Sequence, residues 1–389
     1  MVPRLSMVRT HETRVRSRRF DLRLRRQASH LGNDPPAGNH TQAPLQLRWV
    51  VCGKISRMKF GCVVCLIMPL LFVTRALAQQ LLPGEREAVV TAIPGVIDAA
   101  TKWQLIWADF KTADGIVGTP DGGVIFAQEQ SDTIRKLDVN DKEFVFLTDT
   151  HGGGSVSMDA QGRVYAVQRT CTDSARPFYQ SCPELTMISI LAPERKLLAN
   201  SFSDGKPLGR LNDLVADGKG GAYFTVGGAY HVSANGSVTT VADANSIRSN
   251  GIMLSPDGLT LYVTNNTSVV AFDVRPDGST TNRRDFGMLN GDTGGDGMTV
   301  DSVGHLYVTA NKGIHVLAAD GKYLGLIPTP RRPISLAFSG PNKKTLYVPM
   351  LGAVGPNGKE WTTPEGVRNT AMTIYKIAMV ADGFKGRPK

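Results

Sequence analysis

The stretch SPDGLTLYVTNNTSVVAFDVRPDG, from Ser255 to Gly278, reads as turn, strand, turn, strand, turn. Pro256-Asp257-Gly258 and Pro276-Asp277-Gly278 are turn tripeptides, in which Pro presets φ and Gly supplies the positive φ that other residues resist. Between them, LTLYVTN and SVVAFDV are rich in β-branched and aromatic residues, the composition of strands. The alternation in LTLYVTN is that of a strand buried between neighbouring sheets.

The same form recurs along the chain. It appears as TPDGGVIFAQEQSDTIRKLD from Thr119, DAQGRVYAVQRT from Asp159 and ADGKGGAYFTVGGAYHVSANG from Ala216. It returns as DSVGHLYVTANKGIHVLAADG from Asp301 and GPNKKTLYVPMLG from Gly340. Starts at 119, 159, 216, 255, 301 and 340 lie 39 to 46 residues apart, except for one step of 57. A period near 40 with short strands predicts one propeller blade per repeat, so the expected fold is an all-β, six-bladed β-propeller with a central channel. An open solenoid would need capping repeats, and none is evident. Closure is expected from an N-terminal strand in KWQLIWADF, from Lys102, pairing into the last blade with MTIYKIAMV, from Met372.

Outside the repeats, the charge is concentrated at one end. The 389 residues carry a net charge of +10, but residues 1–57 alone hold +9, and the part from Gln79 onward sums to −1. A nearly neutral body argues against nucleic acid as a partner. Residues 58–78, in MKFGCVVCLIMPLLFVTRALAQQ, have a basic start, an apolar run and an Ala-Leu-Ala end, the pattern of a signal peptide. The apolar run is too short to span a membrane. The expected organisation is therefore a basic extension over 1–57, a signal peptide over 58–78 and a single propeller domain over 79–389, exported to a periplasmic or extracellular space. In that oxidising setting Cys171 and Cys182, which flank TDSARPFYQS within the long repeat step, are expected to form a disulfide.

Polar residues stand at the start of the innermost strand in four of the six blades, ahead of the turn that opens each repeat. They are Asp114-Gly115, the group Arg210, Asn212 and Asp213, then Asn250-Gly251 and Asp296-Gly297. One Asn-Gly or Asp-Gly pair is ordinary turn chemistry. Three such pairs and Asn212-Asp213 at one repeat position, each followed by an apolar strand, point instead to oxygen ligands converging on one mouth of the channel. Such a set suits a hard divalent cation, Ca²⁺ foremost, with Mg²⁺, Zn²⁺ or Mn²⁺ as alternatives. No HExxH or G-x-S-x-G pattern competes with it. GGGS at 152–155 reads as a flexible turn, and His151 is a candidate for the channel mouth.

The motifs RLNDLVAD, SNGIMLSPDGLTLYVTN, GGDGMTVDSVGHLYVT and PISLAFSGPNKKTLYV, in that order, resemble the gluconolactonases of the regucalcin (senescence marker protein) and luciferin-regenerating superfamily. The resemblance runs from about Trp103 to Ile377. It implies a six-bladed propeller with one catalytic divalent metal. By position, Asn250 and Asp296 match two metal ligands, and Asp114 stands where the family usually has the Glu of an EGP motif. Arg210 and Asn212 match substrate-contacting positions, and Asn212 can also reach the metal directly or through water. The implied activity is hydrolysis of a sugar-type lactone by a monomer or weak oligomer. The metal would polarise the carbonyl and acidify water, and a carboxylate would take the proton. Asp296 is the first choice for that base and Asp213 the second. Two alternatives stay open: a binding propeller with a structural metal, and a phosphotriesterase on the same scaffold.

Overall fold

A computed structural model of the chain describes residues 80–169, 185–362 and 372–386. The expected extension, the signal peptide and both cysteines of the expected disulfide lie outside these residues.

Among the described residues, twenty-four strands form six four-stranded antiparallel sheets. The repeat unit is one blade, whose second strand carries the most regular part of the motif. Tyr165, Tyr223, Tyr262, Tyr307 and Tyr347 occupy one register position in blades 2 to 6, and Ile125 holds it in blade 1. All six are buried. Burying a large apolar side chain of this kind contributes about 1.5–3 kcal/mol.

The turn aspartates act as staples. Asp159 accepts from the N–H groups of Gln161 and Arg163 and from Tyr165 Oη, at 2.9–3.0 Å. Asp301 repeats this with Val303, His305 and Tyr307, at 2.8–3.1 Å. In these two Asp-x-x-Gly turns the Asp thus fixes the turn and the following strand together.

Middle strands such as Val124–Gln128 and Val164–Gln168 are buried throughout, because neighbouring blades cover both faces. The outermost strand of blade 4, Thr280–Met288, is largely exposed. The innermost strands are Ile116–Gly118, Gly153–Met158, Leu214–Ala216, Ile252–Leu254, Met298–Val300 and Ala337–Ser339. Each adjoins the next, and the last adjoins the first, so the ring is closed. Closure also uses the N-terminal strand Gln104–Asp109, which pairs with Met372–Ala378 from Gln104↔Lys376 to Asp109↔Met372, as expected from the sequence.

One local expectation fails. Gly153, Gly154 and Ser155 are not a flexible turn but the start of the blade 2 inner strand. A Cβ at Gly154 would stand 2.0 Å from Arg169 Nε, so this glycine makes room for a side chain and provides no hinge. Among the described residues, no helix is long and apolar enough to cross a membrane.

Candidate functional site

Backbone hydrogen bonds identify which residues are equivalent between blades. Asp114 N–H donates to Ala127 O, Asn212 to Thr225 O, Asp296 to Thr309 O and Ile334 to Pro349 O, at 2.8–3.1 Å. Asn250 N–H makes the corresponding contact with Thr264 Oγ1 at 3.2 Å. These five residues occupy one position at the head of the inner strand. In blade 2 that position falls on Gly154, and the guanidinium of Arg169 fills it.

The following residue returns the bond. Ala127 N–H reaches Gly115 O, Thr225 reaches Asp213 O, Thr264 reaches Gly251 O and Thr309 reaches Gly297 O. Residues at this second position meet the adjacent blade, and there is little room for them. A Cβ on Gly115 would lie 2.5 Å from Ser155 Cα, and one on Gly251 would lie 2.0 Å from Asp296 O. Gly115, Gly251 and Gly297 do not have the positive φ of turn glycines. The Asp-Gly and Asn-Gly pairs are thus close approaches between blades, not turns.

This order separates the neighbours Asn212 and Asp213. Asn212 heads its strand and faces the channel. Asp213 is buried at the second position, where Oδ1 accepts from Ser155 Oγ at 2.6 Å and Oδ2 from Ile252 N–H at 3.3 Å. It braces blades 2, 3 and 4 behind the channel wall.

The first-position side chains meet at a cavity of about 310 Å³. Its walls include Asp114, Asn212, Asn250, Asp296, Arg169, Arg210 and Arg332, with Leu211, Ile334 and Leu351 as apolar surface. Every residue expected at the site from the sequence is there except Asp213, and His151 is not part of the wall. Asn212 Nδ2 donates to Asn250 Oδ1 at 2.9 Å. The buried Arg169 joins several groups: Nη2 donates to Asp114 Oδ2, Nε to Glu129 Oε2 at 3.1 Å and Nη1 to Asn212 O at 3.3 Å. Glu129 also pairs with Arg210 Nη1 at 3.4 Å.

Sequence reasoning missed Arg169, Glu129 and Arg332. Arg169 closes the repeat strand VYAVQ, yet the inner-strand motif it completes has only a glycine in blade 2. Nothing in the local pattern distinguishes Glu129 or Arg332.

The site is electrostatically incomplete. Asp296 makes no side-chain hydrogen bond or ion pair among the described residues. Burial, and then the charge of Asp114, pushes its carboxyl well above the usual range, which Arg332 only partly opposes. Burial also raises Asp114, against the pull of Arg169. Two recessed carboxylates, one of which raises the other, are what a bound cation would relieve. Asp114, Asn250 and Asp296 offer only oxygen, the donor set of a hard divalent ion. The described residues hold no cluster of three or more His, Cys, Asp or Glu side chains suited to a metal, so a cation here would need the Asn250 carbonyl beside the two carboxylates.

Residues 107–351 match the family model described as the SMP-30/gluconolactonase/LRE-like region. A gluconolactonase of Zymomonas mobilis is 24% identical over 300 residues, covering 66% of this chain and 81% of the relative. A pentonolactonase of Haloferax volcanii is 30% identical over 188 residues, covering 45% of this chain and 64% of the relative. Among solved structures, a gluconolactonase of Xanthomonas campestris superposes with a TM-score of 0.58 at 19% identity, covering 78% of this chain and 98% of its own. A calcium-binding regucalcin of Agrobacterium tumefaciens gives 0.54 at 16%, covering 73% and 95%. These two likenesses establish the propeller fold.

Proposed function

The chain belongs to the SMP-30/gluconolactonase/LRE-like family, and on that premise we propose that it is a divalent-metal-dependent hydrolase of sugar-type lactones. The observation that carries this reading is the convergence of Asp114, Asn212, Asn250 and Asp296 from four blades on one small cavity, with Arg210 beside them. The gluconolactonase and pentonolactonase relatives support the substrate class.

Asp114, Asn250 and Asp296 would hold the cation, with Asn212 close by. When bound, the cation supplies Lewis-acid polarisation of the lactone carbonyl and makes water more acidic. Asp296, whose carboxylate has no other partner among the described residues, accepts the proton as water oxygen bonds to the carbonyl carbon. The ring C–O bond then breaks, the departing alkoxide takes up the proton that Asp296 received, and the product is a hydroxy acid with the Asp296 carboxylate restored. Arg210 is held from behind by Glu129, so its remaining N–H groups are free to orient the carbonyl and then the product carboxylate. Arg169 holds Asp114 by one oxygen, which fixes the direction of the other. Asp213 keeps the wall rigid and does not enter the reaction.

A panel of aldonolactones and phosphotriesters, assayed with and without EDTA, tests the proposal. EDTA-sensitive opening of lactones is expected. Turnover of phosphotriesters alone, or of nothing while metal still binds, would replace it with one of the two alternatives.

A further inference from the structure

Three guanidinium groups and two carboxylates face the cavity, and the three arginines differ in how their charges are met. Arg169 is buried between Asp114 and Glu129. Arg210 is half-exposed and paired to Glu129. Arg332 is exposed, and its guanidinium has no hydrogen bond or ion pair among the described residues.

Arg332 is nevertheless fixed in place at its backbone. Its carbonyl accepts from Leu351 N–H at 2.9 Å, and Pro333, which follows, bridges to Met350. The side chain reaches toward Gly294, where a Cβ would stand 3.6 Å from Arg332 Nη2. The rim between blades 5 and 6 thus presents a cation over the cavity, next to Asp296 and with no hydrogen bond or ion pair of its own among the described residues.

Opening any lactone creates one carboxylate, and Arg210 is placed to receive it. The guanidiniums of Arg169, Arg210 and Arg332 are matched by the carboxylates of Asp114, Asp296 and Glu129, so a divalent cation held by Asp114, Asn250 and Asp296 would leave two positive charges in excess. A neutral sugar lactone leaves that excess unanswered. We propose that the substrate carries an anionic group of its own, a carboxylate or a phosphate monoester, and that Arg332 binds it. This rests on the lactonase reading above and narrows its substrate class to acidic lactones. Guanidinium is suited to the task, because its fork matches a carboxylate or phosphate with two parallel hydrogen bonds.

The test compares an aldaric acid monolactone and 6-phosphogluconolactone with neutral glucono-δ-lactone, in wild type, Arg332→Gln and Arg332→Lys. In wild type, kcat/KM for at least one acidic lactone should exceed that for the neutral one by about tenfold or more. Whichever acidic lactone leads names the anion. Arg332→Gln should reduce that ratio by about tenfold, and Arg332→Lys should reduce it less, keeping the charge but losing the fork. A wild-type ratio near one, or a ratio unchanged in Arg332→Gln, overturns the inference. Calorimetric binding of the aldarate dianion and the aldonate monoanion keeps the two readings distinguishable. Dianion preference that Arg332→Gln abolishes, in a protein that opens no lactone, upholds Arg332 while refuting lactonase activity. Equal binding of dianion and monoanion refutes the role of Arg332 whatever the activity.

Discussion

Replacing Gly251 tests whether the Asn-Gly pair is a close approach between blades. In Gly251→Ala the new Cβ would stand 2.0 Å from Asp296 O, 2.9 Å from Asp296 C and 3.1 Å from Gly297 Cα. Ordinary contact begins near 3.4 Å, so the strands of blades 4 and 5 must part by about 1.4 Å. Neither is free to move, since Thr264 N–H holds Gly251 O, Thr309 O holds Asp296 N–H and Ile334 O holds Gly297 N–H. Overpacking against backbone falls at the upper end of the usual range, about 3 kcal/mol. For a domain of this size that is a drop in Tm of roughly 6 °C. Asp296 would shift by about an ångström relative to Asn250, enough to lower kcat/KM about 100-fold. Gly251→Asn is the discriminating companion. At a turn with positive φ, Asn is tolerated; here it brings the same Cβ to the same carbonyl. Thermal unfolding and calcium titration of both variants provide the readout. An Asn variant that melts within about 1 °C of wild type and binds calcium unchanged would refute the close-approach reasoning.

Asp296→Asn should have opposite effects on the metal-free and metal-bound protein. A carboxyl raised in the folded state costs nothing below its ordinary range, and the cost grows as pH rises through the raised value. The metal-free variant should therefore melt above metal-free wild type at neutral pH, while calcium no longer raises its Tm. In wild type, calcium affinity should weaken as pH falls through that raised value, because protons compete for Asp296, and calorimetry in buffers of different ionisation enthalpy should detect the proton released on binding. Ser155→Ala removes the donor to the buried Asp213 and should cost about 1–3 kcal/mol in urea denaturation with an unchanged m-value.

The blades, their number and the closing strand pair were legible because each rests on a repeated local signal: a turn Asp, a Gly and a β-branched, aromatic strand. The first-position residues were legible for the same reason, since Asp114, Asn250 and Asp296 recur in phase with that signal. What the sequence hid lies where the phase is broken. Asn212 and Asp213 are adjacent and both polar, and only the backbone hydrogen bonds assign one to the channel and the other to the blade interface. Blade 2 puts a glycine where the other blades put a side chain, so Arg169 reaches the site from a different strand and out of register. Gly153-Gly154 reads as a turn in the sequence and is a strand in the structure. A turn glycine and one excluded by a neighbouring backbone look alike in sequence, and only φ separates them. Arg332 follows a connection between blades and belongs to no repeated pattern.

Titrating EDTA-stripped protein with calcium while following acid release from a lactone tests the central claim most directly. The account predicts negligible hydrolysis in the stripped state, a linear rise as calcium is added and a plateau at one equivalent per chain. Full activity in stripped protein, or a metal-loaded protein that opens no lactone, would contradict it.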